Sequence, residues 1–128
     1  MRRLLLDTHV LIWWLTDDPK LGPRARAMIA DERNEVYVSA VSAWEISIKR
    51  ALGKLDAPED LGSILEDEGF EVLPITFFHG EQAGRLPLHH RDPFDRMLIV
   101  QAQAEGLELV TSDGAFVAYG LLTIDATR

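Results

Sequence analysis

The stretch Leu4–Trp14, LLLDTHVLIWW, joins a short apolar run to a helical segment through a single acidic residue. The run from Leu4 to Leu6 predicts a buried strand of the kind found in parallel sheets, and Thr8 can cap a helix from His9 to Leu15. Asp7 lies at the junction. An acidic side chain at the end of a buried strand needs a partner, so Asp7 is the first candidate for a functional residue.

The same alternation of apolar runs and helical periods continues along the rest of the chain. Further strands are predicted over 36–40, 71–75, 107–111 and 121–124. Further helices are predicted from Pro23 to Asp31, from Ser42 to Gly53, over 58–68 and 77–84, and from Asp92 to a stop at Gly106. This pattern indicates one α/β domain over residues 1–128, with a mostly parallel sheet of about five strands between layers of helices.

The composition narrows the classes of function. The chain has 21 acidic and 13 basic residues and a formal net charge of −8, which argues against general nucleic-acid binding through a basic surface. The absence of cysteine excludes disulfides, iron–sulfur clusters and cysteine nucleophiles. Because Asp7 interrupts the amino-terminal apolar run and no run is long enough to cross a bilayer, we expect a cytoplasmic protein with no membrane span. The acidic excess either provides solubility or groups carboxylates around a divalent cation.

Four acidic residues are predicted to meet at one edge of the sheet. Asp7 and Asp113 each follow a strand, and the carboxyl ends of parallel strands lie at the same edge. Glu45 and Asp95 lie in the first turns of helices that begin at that edge. Because neighbouring carboxylates repel one another, we expect a bound cation, and oxygen ligands favour Mg²⁺ or Mn²⁺ over zinc. Such a site supports hydrolysis of a phosphodiester, with one of the carboxylates able to act as general base.

Three of the four carboxylates also have a purely structural explanation, and Asp7 is the one that is harder to explain in this way. Glu45 has the spacing of a capping box with Ser42 and precedes Lys49 by four positions, while the helix dipole favours an acid at Asp95. Asp113 precedes a glycine, which is an ordinary turn pair. The joint placement of the four residues is what favours a functional site.

The histidines, tryptophans and cations are weaker candidates. His9 and His79 are predicted to be structural, and the tryptophans to be core or dimer contacts, Trp44 on the apolar face of its helix. The segment His89–Arg91 is typical of an exposed basic loop. It could form a cationic rim for RNA, although a solvated charged face explains the same residues. The other members of this rim would be Lys49, Arg50, Lys54, Arg85 and Arg96.

Four motifs together resemble the PIN-domain proteins of the VapC toxin type: LLLDTHVLIWW from Leu4, SAWEISIKRALGKL from Ser42, LPLHHRDPFDRMLIVQAQAEGL from Leu86, and LVTSD ending at Asp113. The resemblance covers nearly the whole chain. It implies a three-layer α/β/α PIN-like fold, magnesium-dependent endoribonuclease activity on RNA, with Mn²⁺ as a substitute, and a homodimer. It also implies neutralisation by a cognate antitoxin in a type II toxin–antitoxin pair. By motif, the catalytic and metal-binding quartet falls on Asp7, Glu45, Asp95 and Asp113, and the supporting hydroxyls on Thr8, Ser42 and Thr111.

Some features distinguish this chain from related possibilities. Many PIN-like nucleases have a further acid soon after the last motif, but residues 114–117, GAFV, contain none, so we expect one firmly held ion. A phosphatase of the aspartyl-phosphate type needs a second aspartate two residues after the first, where this chain has His9. A phospho-receiver domain needs a lysine after a later strand, and the last lysine is Lys54. A catalytically silent PIN-like module that binds RNA or a protein stays an alternative.

Overall fold

The computed structural model describes residues 1–128 and contains one five-stranded sheet in the order β3-β2-β1-β4-β5. Every pair of neighbouring strands is parallel. The strands are β1 (Arg3–Leu6), β2 (Glu35–Ser39), β3 (Glu71–Leu73), β4 (Glu108–Thr111) and β5 (Thr123–Asp125). The predicted α/β class with a parallel sheet is therefore confirmed.

Six α-helices connect the strands, and a 3-10 helix, Gly114–Tyr119, lies between β4 and β5. None of these helices combines the length and hydropathy that a bilayer span requires. The α-helices are α1 (Thr8–Leu15), α2 (Pro23–Ala30), α3 (Ala40–Ala51), α4 (Leu61–Glu68), α5 (Phe77–Arg85) and α6 (Pro93–Glu105).

The core has two parts, one on each face of the sheet. Successive side chains of a strand point to opposite faces, so Leu4 and Leu6 join one cluster and Leu5 joins the other. The first cluster includes residues of α1, α2 and α4, and the second includes residues of α6 and the 3-10 helix. The three-layer α/β/α arrangement follows from this division, since both faces of the sheet are covered.

Two predicted helix starts were wrong. The helix α1 begins at Thr8 with Asp7 as its N-cap, so Thr8 is not the capping residue. The helix α3 begins at Ala40 because the Ser39 hydroxyl accepts a hydrogen bond from the backbone N–H of Val41 at 3.0 Å. The predicted capping box of α3 is consequently absent, and its third residue, Trp44, is 58% exposed rather than part of the core.

The helix that follows Asp92 forms as predicted. Pro93 occupies its first turn and Gly106 ends it in the left-handed conformation, with φ +66°. The predicted helix over 58–68 is shorter than expected, since α4 begins at Leu61, and the 3-10 helix after Asp113 was not predicted. These differences leave the carboxyl edge of β1, β2 and β4 as expected, and the candidate site lies there.

Candidate metal centre

The two central strands bring Asp7 and Asp113 to the same edge of the sheet. Leu6 of β1 lies opposite Val110 of β4, and the backbone N–H of Asp7 donates to the Val110 carbonyl at 3.0 Å. Asp113 follows β4 by two residues and caps the 3-10 helix by accepting a hydrogen bond from the N–H of Ala115 at 2.9 Å. The topology thus places two residues that are far apart in sequence beside one another.

Asp7 is buried, with 5% of its surface exposed, and its carboxylate is held by one hydroxyl. Thr111 donates from Oγ1 to Asp7 Oδ2 at 2.8 Å and accepts from the backbone N–H of Asp113 at 3.0 Å. Burial raises the pKa of Asp7, and the Thr111 hydrogen bond opposes that rise. Thr111 therefore links the two aspartates at the strand ends, and its supporting role stays a prediction.

Glu45 lies in the second turn of α3 rather than the first, and it is also buried. Its Oε2 atom pairs with Lys49 Nζ at 2.8 Å, and this contact raises the pKa of Lys49. The Oε1 atom is buried with no hydrogen-bond partner. The hydroxyls of Thr8 and Ser42, both buried, lie 2.9 Å apart and join α1 to α3.

Asp95 is the third residue of α6 and has the most strongly shifted acidity in the cluster. Burial, followed by the negative charges of Asp7 and Asp92, raises the pKa of Asp95 from 3.8 to about 7. The charge of Glu45 contributes in the same direction. Asp92 was not a predicted site residue; its side chain caps α6 by accepting a hydrogen bond from the N–H of Phe94 at 2.8 Å. The electrostatics of the cluster show that these acids lie close enough to oppose one another's ionisation.

One group of side chains has its ligand atoms within 4.8 Å of one another, namely His90, Asp95 and Asp113. His90 Nε2 lies 3.0 Å from Asp95 Oδ2 and 3.4 Å from Asp113 Oδ2. Asp7 and Glu45 are outside this compact group, so the predicted quartet is divided into two buried acids and two acids nearer the surface. The interpretation of His90 as part of an exposed basic loop was wrong, since its side chain is only 17% exposed.

The predicted cationic rim is also only partly present. Arg96 is buried, and its guanidinium donates to the backbone carbonyls of Ala83, Leu86, Pro87 and His90 at 2.7–3.1 Å. It therefore holds the preceding loop and is not part of an exposed cationic surface. His79 is buried and hydrogen-bonded to Thr76, which confirms its structural assignment, while His9 is exposed.

The donor set fits a hard divalent cation. A buried carboxylate oxygen without a partner, such as Glu45 Oε1, costs about 1–3 kcal/mol or more unless a cation or an ordered water satisfies it. A cation would also relieve the mutual repulsion that raises the pKa of Asp95. Four carboxylates with a single histidine and no thiolate are typical ligands of Mg²⁺ or Mn²⁺.

Comparison with known proteins agrees with this fold. The family model described as "PIN domain" matches residues 4–122. The chain belongs to the PIN-domain family. The family resemblance seen in the four motifs is thereby confirmed, and the compact group at the carboxyl edge is part of a PIN domain.

The PIN domain is similar to two curated ribonucleases of Mycobacterium tuberculosis. It is 50% identical to Ribonuclease VapC16 over 62 residues, which are 47% of this chain and 44% of that protein. It is 29% identical to Ribonuclease VapC22 over 116 residues, which are 88% of each chain. The first of these matches thus spans under half of the relative's length.

Among solved structures, one chain of VapBC2 from Rickettsia felis, crystallised with a DNA fragment from its promoter, has the same fold. The TM-score is 0.71 at 17% identity, and the match covers 96% of this chain and 98% of the other. At this identity the likeness extends to the fold alone.

Proposed function

We propose that the chain is a metal-dependent endoribonuclease of the VapC type. The observation that carries the proposal is the cluster of mutually repelling carboxylates at the carboxyl edge of the sheet, in which Glu45 Oε1 is buried without a partner. The names of the two mycobacterial relatives, both ribonucleases, support the same activity. Phosphodiester hydrolysis is the reaction for which such carboxylate clusters and a divalent ion are suited.

Asp7, Glu45, Asp95 and Asp113 would hold the ion, with Mg²⁺ as the expected cofactor and Mn²⁺ as a substitute. A bound ion supplies a nucleophilic water of lowered pKa and neutralises negative charge on the phosphate that is cleaved. Mg²⁺ keeps several of its waters in protein sites, so all four side chains need not lie equally close to it. We expect a single firm site, since the segment after Asp113 has no acid; two equally tight Mg²⁺ ions in a calorimetric titration without RNA would contradict this.

The residues of the chain have distinct tasks in this scheme. Thr111 fixes the orientation of Asp7 and of the segment that carries Asp113. Lys49 holds one oxygen of Glu45 and leaves the other available to a ligand. Asp95, whose pKa is raised to about 7, is able to hold or release a proton near neutral pH until an ion is bound. The general base is one of the four carboxylates of the quartet.

The resemblance to VapC toxins also suggests which molecules this protein binds. The chain would act as the toxin of a type II toxin–antitoxin pair, form a homodimer, cleave RNA and be neutralised by a cognate antitoxin. The single domain over residues 1–128 and a cytoplasmic location stay predictions of the sequence.

Cleavage of total cellular RNA by the purified full-length chain tests the activity. Discrete cuts are expected with Mg²⁺ and should disappear with EDTA and in the Asp7→Asn and Asp95→Asn variants. Asp67→Asn, on the exposed side of α4, is the matched control and should cleave normally. Cuts that persist in EDTA or in both site variants would contradict the proposal, and RNA binding without cleavage would favour a catalytically silent module.

A further inference from the structure

His90 is placed in the site by contacts from three directions. Its backbone N–H donates to the Tyr119 hydroxyl at 2.7 Å, and its carbonyl accepts from the buried Arg96 at 3.0 Å. Its ring packs against Phe116, with 5.7 Å between the ring centroids. The neighbouring His89 is exposed and instead packs edge-on against Tyr119. Two adjacent histidines therefore have different environments, and only one of them faces the carboxylates.

The Nε2 atom of His90 is buried and close to two carboxylate oxygens, yet it forms no hydrogen bond with either. In a hydrogen-bonded histidine–aspartate pair the imidazole N–H points at the carboxylate oxygen, and His90 lacks this alignment with Asp95. The other ring nitrogen, Nδ1, accepts a hydrogen bond from the backbone N–H of Asp92 at 3.4 Å, the long limit of such a bond. This contact favours the tautomer with its proton on Nε2 only weakly, so the proton can move from Nε2 when an ion binds there. The ring is thus clamped by its backbone and by packing rather than by its own nitrogens.

The distances around Nε2 are those expected between ligands of one metal ion. Adjacent ligands of an octahedral ion with bonds of 2.0–2.1 Å are separated by about 3 Å, and slightly more in a less regular site. The measured separations from Nε2 are 3.0 Å to Asp95 Oδ2 and 3.4 Å to Asp113 Oδ2. Three ligand atoms that point at a common metal ion lie about this far apart without forming hydrogen bonds to one another.

We infer that His90 Nε2 is a nitrogen ligand of the divalent ion held by Asp95 and Asp113, and that it favours Mn²⁺ over Mg²⁺ at this site. The inference rests on the proposed metal-dependent function and adds a ligand to it. Imidazole is a softer ligand than a carboxylate and contributes more to binding a transition metal than to binding Mg²⁺, which is satisfied by oxygen. Arg96 and Tyr119 act as positioning residues, because they fix the backbone on both sides of the imidazole.

Mn²⁺ binding to the full-length protein tests the inference without any measurement of activity. Pulsed electron paramagnetic resonance of bound Mn²⁺ should show modulation from one directly coordinated imidazole nitrogen. The modulation should be absent in His90→Ala and unchanged in His89→Ala, which is the matched control from the adjacent position. In titrations, His90→Ala should weaken Mn²⁺ binding at least about tenfold and Mg²⁺ binding by much less.

The outcomes separate failure of the ligand from failure of the site. Absence of nitrogen modulation in the unaltered protein, or unchanged Mn²⁺ affinity in a folded His90→Ala variant, would overturn the role of His90. Tighter Mn²⁺ binding in that variant would also overturn it, since the imidazole would then obstruct the site. If Asp95→Asn binds Mn²⁺ as well as the unaltered protein does, the metal site itself, and with it the proposed function, would be wrong. A Tyr119→Phe variant should keep the nitrogen signal but weaken Mn²⁺ binding, because only the positioning of His90 is loosened.

Discussion

Replacing Asp95 by asparagine should stabilise the metal-free protein, because the ionised carboxylate opposes folding. Its pKa is raised from 3.8 to about 7 in the folded chain, so the unfolded chain releases this proton more readily. The resulting penalty is absent below pH 3.8, grows between pH 3.8 and about 7, and is complete above pH 7. At pH 8 the variant should therefore be more stable than the unaltered protein, and near pH 4 the two should be alike.

The size of the effect follows from the shift. A rise from 3.8 to about 7 corresponds to about 4 kcal/mol at 1.36 kcal/mol per pKa unit. The Asp95 side chain is 19% exposed, and solvent and salt screen part of this energy, so we expect about half, ~2 kcal/mol. For a chain of this length, that difference raises the melting temperature by about 6 to 10 °C.

Thermal unfolding by circular dichroism in EDTA and in Mg²⁺, at pH 8 and pH 4, measures the effect. Saturation at ten times the dissociation constant should stabilise the unaltered protein by about 1.4 kcal/mol and the Asp95→Asn variant by far less. Asp67→Asn, on the exposed surface of α4, should change stability by less than about 0.5 kcal/mol in all conditions. An Asp95→Asn variant that is no more stable than the unaltered protein in EDTA at pH 8 would refute the reasoning, as would equal stabilisation of both by Mg²⁺.

Three further substitutions, two of them with a comparison variant, test other parts of the structure. Thr111→Val removes the hydrogen bond to Asp7 and should lower Mg²⁺ affinity about 10- to 100-fold by calorimetry, whereas Thr111→Ser should restore it. Gly22→Ala should destabilise the fold by about 1–3 kcal/mol in urea denaturation, because the added methyl overlaps the backbone of Thr127 and Arg128. Gly80→Ala lies in open space on α5 and should instead stabilise the fold by about 0.5–1 kcal/mol. Arg96→Met should cost about 2–4 kcal/mol in the same assay through loss of four hydrogen bonds to backbone carbonyls, and an unchanged urea midpoint would show that those bonds contribute little.

The local sequence was enough to predict the strands and the two aspartates that follow them. Strands that are apolar on both faces must be buried on both faces, which is typical of a parallel sheet. The carboxyl ends of parallel strands lie at one edge, and Asp7 and Asp113 follow two of those ends. The predicted position of Glu45, in the first turn of its helix, was wrong by one turn. The capping-box spacing was present, but Ser39 capped α3 three residues earlier, and the helical period still brought Glu45 to the site.

The place of His90 could not be predicted from its neighbours in sequence. The segment His89–Arg91 has the composition of a solvated loop, and nothing local distinguishes its two histidines. The difference comes from Tyr119, 29 residues away, and from Arg96, which points back from α6 to bind the loop's carbonyls. Arg96 itself gave a clue in the sequence. An arginine on the buried face of α6 must donate its guanidinium hydrogen bonds to nearby acceptors, and backbone carbonyls of the preceding loop are within reach.

The charges around the site affect how an acidic chain can bind RNA. The site has five carboxylates but only one lysine, Lys49, which pairs with Glu45, so a phosphate that approaches the metal-free site is repelled. The five carboxylates are those of Asp7, Glu45, Asp92, Asp95 and Asp113. Removal of the ion should therefore weaken RNA binding as well as abolish cleavage, so loss of cutting in EDTA does not by itself separate loss of RNA binding from loss of the chemical step. An aspartate-to-asparagine substitution removes negative charge together with a metal ligand, so it should lower the repulsion while preventing catalysis. Asp7→Asn with metal-free RNA affinity at or above that of the unaltered protein, and with no cleavage in Mg²⁺, is the combination that a metal-dependent nuclease requires.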